Sequence, residues 1–324
     1  MSTRKFNQER GFGIEIECSS TLNRHRISDL INHAFANSDL DGTSRVEGYG
    51  DCHETTPYWK VTTDGSISCS AGTNHTMEIV SPILYGLTGL AQLQVVLDAI
   101  NDTETYGVTT KVNKTMGIHV HHDLTSWRNA SRGTFANNMN NLVSLVAKYE
   151  HAIFKLLPPS RQSRWCLPVR RMFSNYETNE TCSYTSRIKT LKQIHRNGSL
   201  GRFQSDIERS AQDRYCGLNF KNLFTRGSVE FRYHQASTNF EKLSRWIVFT
   251  QAFVETAELK KSISYTDSMT RTSVASALRR LRCDLGLTKA NNDSYLQACD
   301  TEIKRRYHLY KSNAVTLPRV RNAQ

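Results

Sequence analysis

The segment GFGIEIEC, residues 11–18, alternates apolar and acidic side chains. A period of two is typical of a β-strand, and it places Glu15 and Glu17 on the same face. The segments 117–123 (GIHVHHD) and 228–233 (SVEFRY) are two further predicted strands. Because predicted helices separate these strands in irregular order, the sequence favours an α+β fold with a mainly antiparallel sheet and packed helices.

Periodicity and capping residues predict the other elements. The predicted strands are 58–63, 76–80 and 219–223; the predicted helices are 28–35, 88–100 after a Thr88 N-cap, 135–157, 239–259, 273–285 and 293–309. Residues 39–56 are predicted to be a loop, and Trp246, Phe249 and Phe253 a core stripe of one helix. No linker composition interrupts the chain, so we predict a catalytic domain over 1–260 and a helical extension over 261–324, packed on the same domain.

Composition narrows the classes of protein. The 324 residues carry a net charge of +12 with 38% hydrophobic residues, which excludes a disordered or fibrous chain and favours anionic partners. No apolar run approaches the roughly 20 residues that span a bilayer, and the first ten residues are polar. We therefore expect no membrane partner. The eight cysteines form no CxxC motif, so we expect buried thiols and a cytoplasmic location.

Three predicted strands carry chemically active side chains two residues apart. These pairs are Glu15-x-Glu17, His119-x-His121 and Glu230-x-Arg232. Residues i and i+2 of a strand share a face and lie about 6.6 Å apart, so neighbouring carboxylates can serve two metal ions, or one ion and a substrate group. Carboxylates with an imidazole suit Mg²⁺ or Mn²⁺ better than zinc, and an arginine beside them suits phosphate oxygens.

Each pair alone also fits a plainer interpretation. With 11 histidines, roughly 0.4 HxH pairs are expected by chance. Glu15 and Glu17 could form a solvent-facing strand edge, and Glu230 with Arg232 a surface ion pair of little energetic value. The flanking Gly, Phe, Ile and Val residues favour burial instead, and buried carboxylates need a cation.

The order of the motifs adds a resemblance to a known family. GFGIEIEC, TTDGS, MEIVSP, GIHVHHD, RYCGLNF and GSVEFRYHQASTNFEKLSRWI, between Gly11 and Ala257, together resemble the amidoligases. These are relatives of glutamine synthetase and γ-glutamylcysteine synthetase. The resemblance implies the curved sheet of the glutamine synthetase catalytic domain. It also implies an ATP- and Mg²⁺- (or Mn²⁺-) dependent ligase that joins a carboxylate to an amine through an acyl phosphate.

The same resemblance assigns roles to individual residues. It implies metal ligands at Glu15, Glu17, Glu78, His119 and Glu230, nucleotide contacts at His121, Glu230, Arg161 and Arg164, and catalytic roles for Arg232, Asp64 and Arg214. Arg232 would stabilise the transferring phosphoryl group, Asp64 would contact the amine or a metal, and Arg214 would face the acyl phosphate. Asp64 also fits a turn-forming Asp-Gly, and Arg161 and Arg164 also fit solvated surface arginines.

The net charge and the absence of a recognisable ammonia site indicate the kind of substrate to expect. No ammonia-site segment of glutamine synthetase is recognisable, and the basic charge fits an acidic small-molecule or peptide substrate beside the amine. Two alternatives stay open: a basic nucleic-acid-binding protein, which we favour less, and a metal-dependent phosphohydrolase or phosphotransferase that uses the same carboxylate/His site. The oligomeric state is open, with a homo-oligomer among the options.

Overall fold

The computed structural model describes residues 4–48, 54–162, 166–169, 215–263, 273–290 and 292–313. The strands are β1 (Gly11–Ser20), β2 (Ser44–Val46), β3 (Trp59–Thr62), β4 (His75–Val80), β5 (Leu84–Tyr85), β6 (Thr110–Lys111), β7 (Gly117–Asp123), β8 (Leu218–Asn219) and β9 (Ser228–Gln235). The helices are α1 (Arg24–Ala36), α2 (Gly86–Asn101), α3 (Thr103–Tyr106), α4 (Thr125–Arg128), α5 (Arg132–Phe154), α6 (Leu223–Arg226), α7 (Phe240–Leu259), α8 (Val274–Asp284) and α9 (Ser294–Tyr310), with 3₁₀ turns at Pro159–Arg161 and Leu287–Lys289.

The chain forms two compact units. The sheet unit comprises Phe6–His122 and His234–Ile247. The helical unit comprises the described parts of Met1–Lys5, Asp123–Tyr233 and Val248–Gln324. The division at residue 260 stays a prediction. Among the described helices, none combines the length and the hydropathy of a membrane span.

The sheet unit is built around β1. Its strands follow the order β2-β3-β4-β1-β7, and the short strands β5 and β6 also pair with β1. Strand β2 runs parallel to β3, whereas β3–β4, β4–β1 and β1–β7 are antiparallel. The predicted α+β class and mainly antiparallel sheet are therefore confirmed, while the glutamine synthetase-like curvature stays a prediction.

The two faces of this sheet have opposite character. Alternate residues of the four central strands, among them Ile16, Val61, Ile79 and Ile118, are completely buried. Helix α1 contacts α2 and β3, and its Ile27 and Ile31 are also buried. Hydrophobic burial of this face against helices anchors the sheet, and the period of two then sends the intervening residues to the other face.

The helical unit has an aromatic core. Phe249 and Phe253 of α7 meet edge to face at 5.2 Å between ring centroids, and Phe253 lies 6.1 Å from Phe231 of β9. The predicted core stripe is confirmed, since Phe249 and Phe253, and Trp246 in the part of α7 that belongs to the sheet unit, are at most 2% exposed. Edge-to-face rings add stabilisation beyond their buried area.

The C-terminal helices of the helical unit contact α5 and the segment that follows it. Helix α8 contacts α5, where Asp284 accepts hydrogen bonds from Lys148 and Tyr149. In α9, Arg306 is 1% exposed, pairs with Glu302 and donates to the carbonyl of Leu156. Burial of a guanidinium is costly unless it is paired, so these partners hold α9 in one position.

Several element boundaries differ from the predictions. Helix α1 begins at Arg24 rather than Ser28, because the side chain of Asn23 caps it by accepting a bond from the amide of Arg26 at 3.0 Å. The predicted loop 39–56 contains β2, whose three residues are too few to show a period. A strand this short is fixed by its parallel partner β3 rather than by its own pattern.

Two further predicted elements have the right type but the wrong bounds. Helix α2 begins at Gly86 rather than after Thr88, because β5 pairs with β1 and leads directly into the helix. Leu223 begins the single turn α6 instead of ending a strand. That turn closes at Gly227, whose φ of +75° is a left-handed conformation that favours glycine.

Replacing Gly217 with alanine should destabilise the helical unit. A Cβ at this position would lie 2.2 Å from the ring of Tyr233. That ring is 1% exposed, contacts Phe154, and its hydroxyl donates to Glu150 at 2.7 Å, so it has little room to move. Overpacking of this kind costs about 1–3 kcal/mol, and chemical denaturation would measure the loss.

Gly133→Ala is the matched control for this substitution. Gly133 lies in the exposed first turn of α5, with nothing within 4 Å of an added Cβ. Alanine should leave the free energy of unfolding unchanged or raise it by up to about 1 kcal/mol. Equal effects of Gly217→Ala and Gly133→Ala would contradict the packing around Tyr233.

Candidate active site

One face of the sheet unit collects the acidic and imidazole side chains. Across the antiparallel ladders, Glu17 pairs with Glu78, and Glu15 pairs with His119. Directly paired residues project from the same face, with Cβ atoms about 4.5–5.5 Å apart. His121 pairs with Gly13, and it completes the group that we call the acidic face: Glu15, Glu17, Glu78, His119 and His121. The structure thus brings five of the predicted site residues together.

His119 lies at the centre of the acidic face. Its Nδ1 donates to Glu15 Oε2 at 2.7 Å, because an ionised carboxylate can only accept. A neutral ring with its proton on Nδ1 has a lone pair on Nε2, which lies 3.6 Å from Glu17 Oε1. The backbone amide of Gly117 donates to the other oxygen of Glu17 at 2.6 Å, which fixes the direction of that carboxylate.

Glu17, Glu78 and His119 fit a divalent metal ion. Each offers one ligand atom, and these atoms all lie within 4.8 Å of one another. Two atoms that ligate one ion at about 2.1 Å are at most about 4 Å apart, so small side-chain rotations close the site. Glu17 is 5% exposed, and burial of its charge beside Glu78 favours a cation between them. Two carboxylates and one imidazole suit Mg²⁺ or Mn²⁺.

Glu15 supports this centre through the two histidines. Burial alone would raise its pKa, but the charge of His121 and hydrogen bonds from both histidines outweigh burial, so the pKa of Glu15 lies well below its usual range. His121 Nε2 donates to Glu15 Oε1 at 2.9 Å, and both carboxylate oxygens are therefore occupied. A carboxylate behind a ligating histidine fixes the ring and raises its basicity. A direct metal bond from Glu15 stays a prediction.

His122 and Cys18 lie on the apolar side of the same strands. Burial, helped by the charges of Arg10 and His121, holds the pKa of His122 well below its usual value. Burial and the nearby Glu17 and Glu78 raise the pKa of the Cys18 thiol to about 12. A neutral imidazole and a protonated thiol are packing groups here rather than reactive ones.

Glu230 and Arg232 belong to the helical unit, where they bond to each other. Glu230 is 4% exposed, accepts a hydrogen bond from Asn219 at 2.7 Å and pairs with Arg232. The surface-pair interpretation of these two residues is therefore wrong, because the carboxylate is buried. Their roles with metal, nucleotide and phosphoryl group stay predictions.

Arg161 is buried beside the same strand. Its guanidinium donates to the carbonyls of Arg232 at 2.7 Å and Tyr233 at 3.2 Å, and it is 4% exposed. The surface alternative for Arg161 is wrong, and its contact with nucleotide stays a prediction. Nearby, burial raises the pKa of Cys166 to about 11, as expected of an unreactive thiol. No disulfide joins the described cysteines.

The other three predicted site residues are Asp64, Arg164 and Arg214. Asp64 accepts a bond from the amide of Ser66 at 2.6 Å, as in the turn-forming alternative, and its role toward amine or metal stays a prediction. Arg164 and Arg214 lie outside the described residues.

Sequence analysis missed two residues on the acidic side of β3. Lys60 and Thr62 alternate with the buried Trp59 and Val61, and they pair with Val80 and Glu78 of β4. Lys60 is 2% exposed and donates to the carbonyl of Glu54 at 2.6 Å. The alternation within WKVT indicates that Lys60 and Thr62 share a face. Only the register with β4 shows that this is the face of Glu78.

Comparison with known proteins assigns the chain to a family. A family model described as "Putative amidoligase enzyme" matches residues 8–254, and the chain belongs to this amidoligase family. The match supports an enzyme of the ligase class. The chain is also similar to the crystal structure of a bifunctional glutathione synthetase from Pasteurella multocida, at 14% identity and a TM-score of 0.42. That similarity covers 94% of this chain but only 47% of the other protein. No curated protein matches the sequence.

His121→Ala should raise the pKa of Glu15, because it removes a positive charge and a hydrogen bond and leaves the effect of burial less opposed. A glutamate whose pKa in the folded state lies below its unfolded value, near 4.3, stabilises the fold at pH values above 4.3. This stabilisation is lost as the pH falls through the folded-state pKa. The variant should therefore lose less stability than wild type on acidification. Carboxylate ¹³C NMR titration and pH-dependent denaturation would measure both. An unchanged Glu15 pKa would contradict the role of His121.

Proposed function

We propose that the protein is an ATP- and Mg²⁺- or Mn²⁺-dependent ligase that condenses a carboxylate with an amine. The observation that carries the proposal is the convergence of Glu17, Glu78 and His119 on one face of the sheet in a chain of the amidoligase family. In this reaction a carboxylate oxygen accepts the γ-phosphoryl group and ADP leaves. The amine nitrogen then attacks the acyl carbon, the bond to phosphate breaks, and the amine gives up a proton.

The residues of the acidic face have distinct parts in this scheme. Glu17, Glu78 and His119 would hold the divalent ion, while Glu15 orients His119 from behind. The bound ion supplies neutralisation of phosphate charge as the phosphoryl group moves. His121 would approach the nucleotide phosphates. In the helical unit, Glu230 keeps the Arg232 guanidinium directed for an anionic oxygen, which that arginine would stabilise during transfer.

The substrate class follows from charge. The net charge of +12 favours an anionic carboxylate substrate, such as an acidic small molecule or peptide, over a cationic one. The basic segments 279–282 and 304–306 favour the nucleic-acid alternative, but ion pairs within the protein weaken that argument. Arg282 and Lys304 pair with Asp300, and Arg305 and Arg306 pair with Glu302, so these cations are partly neutralised within the protein.

The reaction can be tested by ADP release from ATP in the presence of Mg²⁺ or Mn²⁺. Pools of amino acids, peptides and polyamines would supply both substrates, and mass spectrometry would search for products lighter by one water than the summed substrates. We expect ADP release that requires a carboxylate and an amine together. Phosphate release without condensation would instead indicate a phosphohydrolase. Salt-sensitive binding of DNA or RNA without ATP turnover would indicate the nucleic-acid alternative.

Glu17→Gln should abolish ligation, because it removes a charged metal ligand while keeping the volume of the side chain. We expect kcat/KM to fall at least about 100-fold, because loss of a ligand should exceed the roughly 10–100-fold cost of losing a partner behind a ligand. Glu104→Gln is the matched control, since Glu104 is exposed in α3 and should keep wild-type activity. Circular dichroism would verify that both variants fold. Wild-type ligation by folded Glu17→Gln would overturn the site assignment.

A further inference from the structure

Thr62 is the last residue of β3 and lies directly beside the candidate metal centre. It pairs with Glu78 across the β3–β4 ladder, and Glu78 pairs with Glu17 across the β4–β1 ladder. The three side chains therefore project from the acidic face in one row. Cβ atoms of adjacent members of such a row are about 4.5–5.5 Å apart, so the hydroxyl group borders the space between the carboxylates.

The hydroxyl of Thr62 is buried without a hydrogen-bond partner among the residues described. The side chain is 0% exposed, and its Oγ1 bonds to no described group. Burial of an unpaired hydroxyl costs free energy, so such a group in a native protein calls for an explanation. Thr73, also buried, shows the ordinary outcome, because its hydroxyl lies 2.7 Å from the carbonyl of Ser70.

Position distinguishes Thr62 from the other buried polar atoms that lack a partner. The indole nitrogens of Trp59 and Trp127, for example, belong to aromatic side chains that mainly fill space. Thr62 instead adjoins two carboxylates whose ligand atoms already converge with that of His119. A glutamate extends farther from the sheet than a threonine, so an ion held by Glu78 would lie farther from the strands than the Thr62 hydroxyl, which favours contact with a water of the ion over contact with the ion itself.

We propose that Thr62 is a positioning residue for the metal centre, with its hydroxyl hydrogen-bonded to a water molecule in the coordination shell of the ion. This inference rests on the metal site of the proposed function and adds to that site a sixth residue on the same side of the sheet as the five of the acidic face. Mg²⁺ and Mn²⁺ sites usually keep several waters, and a neutral hydroxyl can both donate to and accept from one of them. The hydroxyl thereby gains a partner that the described part of the chain does not provide.

Thr62→Val tests the proposal, because valine keeps the shape and removes the hydroxyl. Mn²⁺ affinity would be measured by isothermal titration calorimetry and water-proton relaxation, without ATP or amine. We expect the Kd to rise about 10-fold, the low end of losses for partners behind metal ligands. The Tm of the metal-free variant should be unchanged or higher, because an unpaired buried hydroxyl becomes a methyl group. Thr62→Ser should keep the Kd within about threefold of wild type.

Thr256→Val is the control for an ordinary buried threonine. The Thr256 hydroxyl donates to the carbonyl of Ala252 at 2.7 Å and accepts from Arg4 at 2.5 Å, within the helical unit. Its loss should lower the Tm and leave the Mn²⁺ Kd unchanged. A wild-type Kd in Thr62→Val, or a lowered Tm without a change in Kd, would overturn the inference and indicate a purely structural threonine.

The failure of this inference differs from the failure of the proposed function. If wild type binds Mn²⁺, Thr62→Val binds it more weakly and no amide product forms, then the ligase proposal fails and the role of Thr62 stands. If wild type ligates and Thr62→Val binds Mn²⁺ normally, only the role of Thr62 fails. Absence of Mn²⁺ binding in wild type would overturn the role of Thr62 directly.

Discussion

The ionised carboxylate of Glu15 is stable inside the sheet unit because His119 and His121 each donate a hydrogen bond to one of its oxygens. This interaction reverses the effect of burial on the carboxyl group and at the same time fixes the orientation of both rings. In this orientation, Nε2 of His119 lies 3.6 Å from Glu17. The arrangement of the candidate metal ligands therefore depends on Glu15, which bonds to the opposite ring nitrogen. The apolar face of the same strands, buried against helices, supplies the rigidity that such geometry needs.

Much of the acidic face could be predicted from the sequence, because strands have a simple period. The alternation in residues 11–18 and 117–123 predicts β1 and β7 and places each pair of charged residues on one face. The period does not predict the register between paired strands, because that register depends on contacts between distant segments. The pairing of Glu17 with Glu78, and of Thr62 with Glu78, became visible only in the folded sheet.

The errors in secondary structure also have physical causes. Strand β2 lies within a segment rich in Gly, Asp and Thr, where parallel pairing with β3 overrides weak local preference. Leu223 is apolar and follows a true strand, yet the left-handed Gly227 ends a helical turn there. The C-terminal helices were predicted closely because Ser273 and Asp293 are strong N-caps, and both side chains accept bonds from the first turn.

The outer strand β2 has a consequence for the behaviour of the protein at high concentration. An exposed sheet edge offers unpaired backbone groups to other molecules, and long apolar edges promote aggregation. Here the terminal strand of the described order is three residues long, and its central residue, Arg45, is exposed and stacks on the ring of Tyr58 at 4.4 Å. A short edge with a charge at its middle is a poor template for strand addition. The feature that escaped sequence analysis therefore also protects the sheet from self-association along that edge.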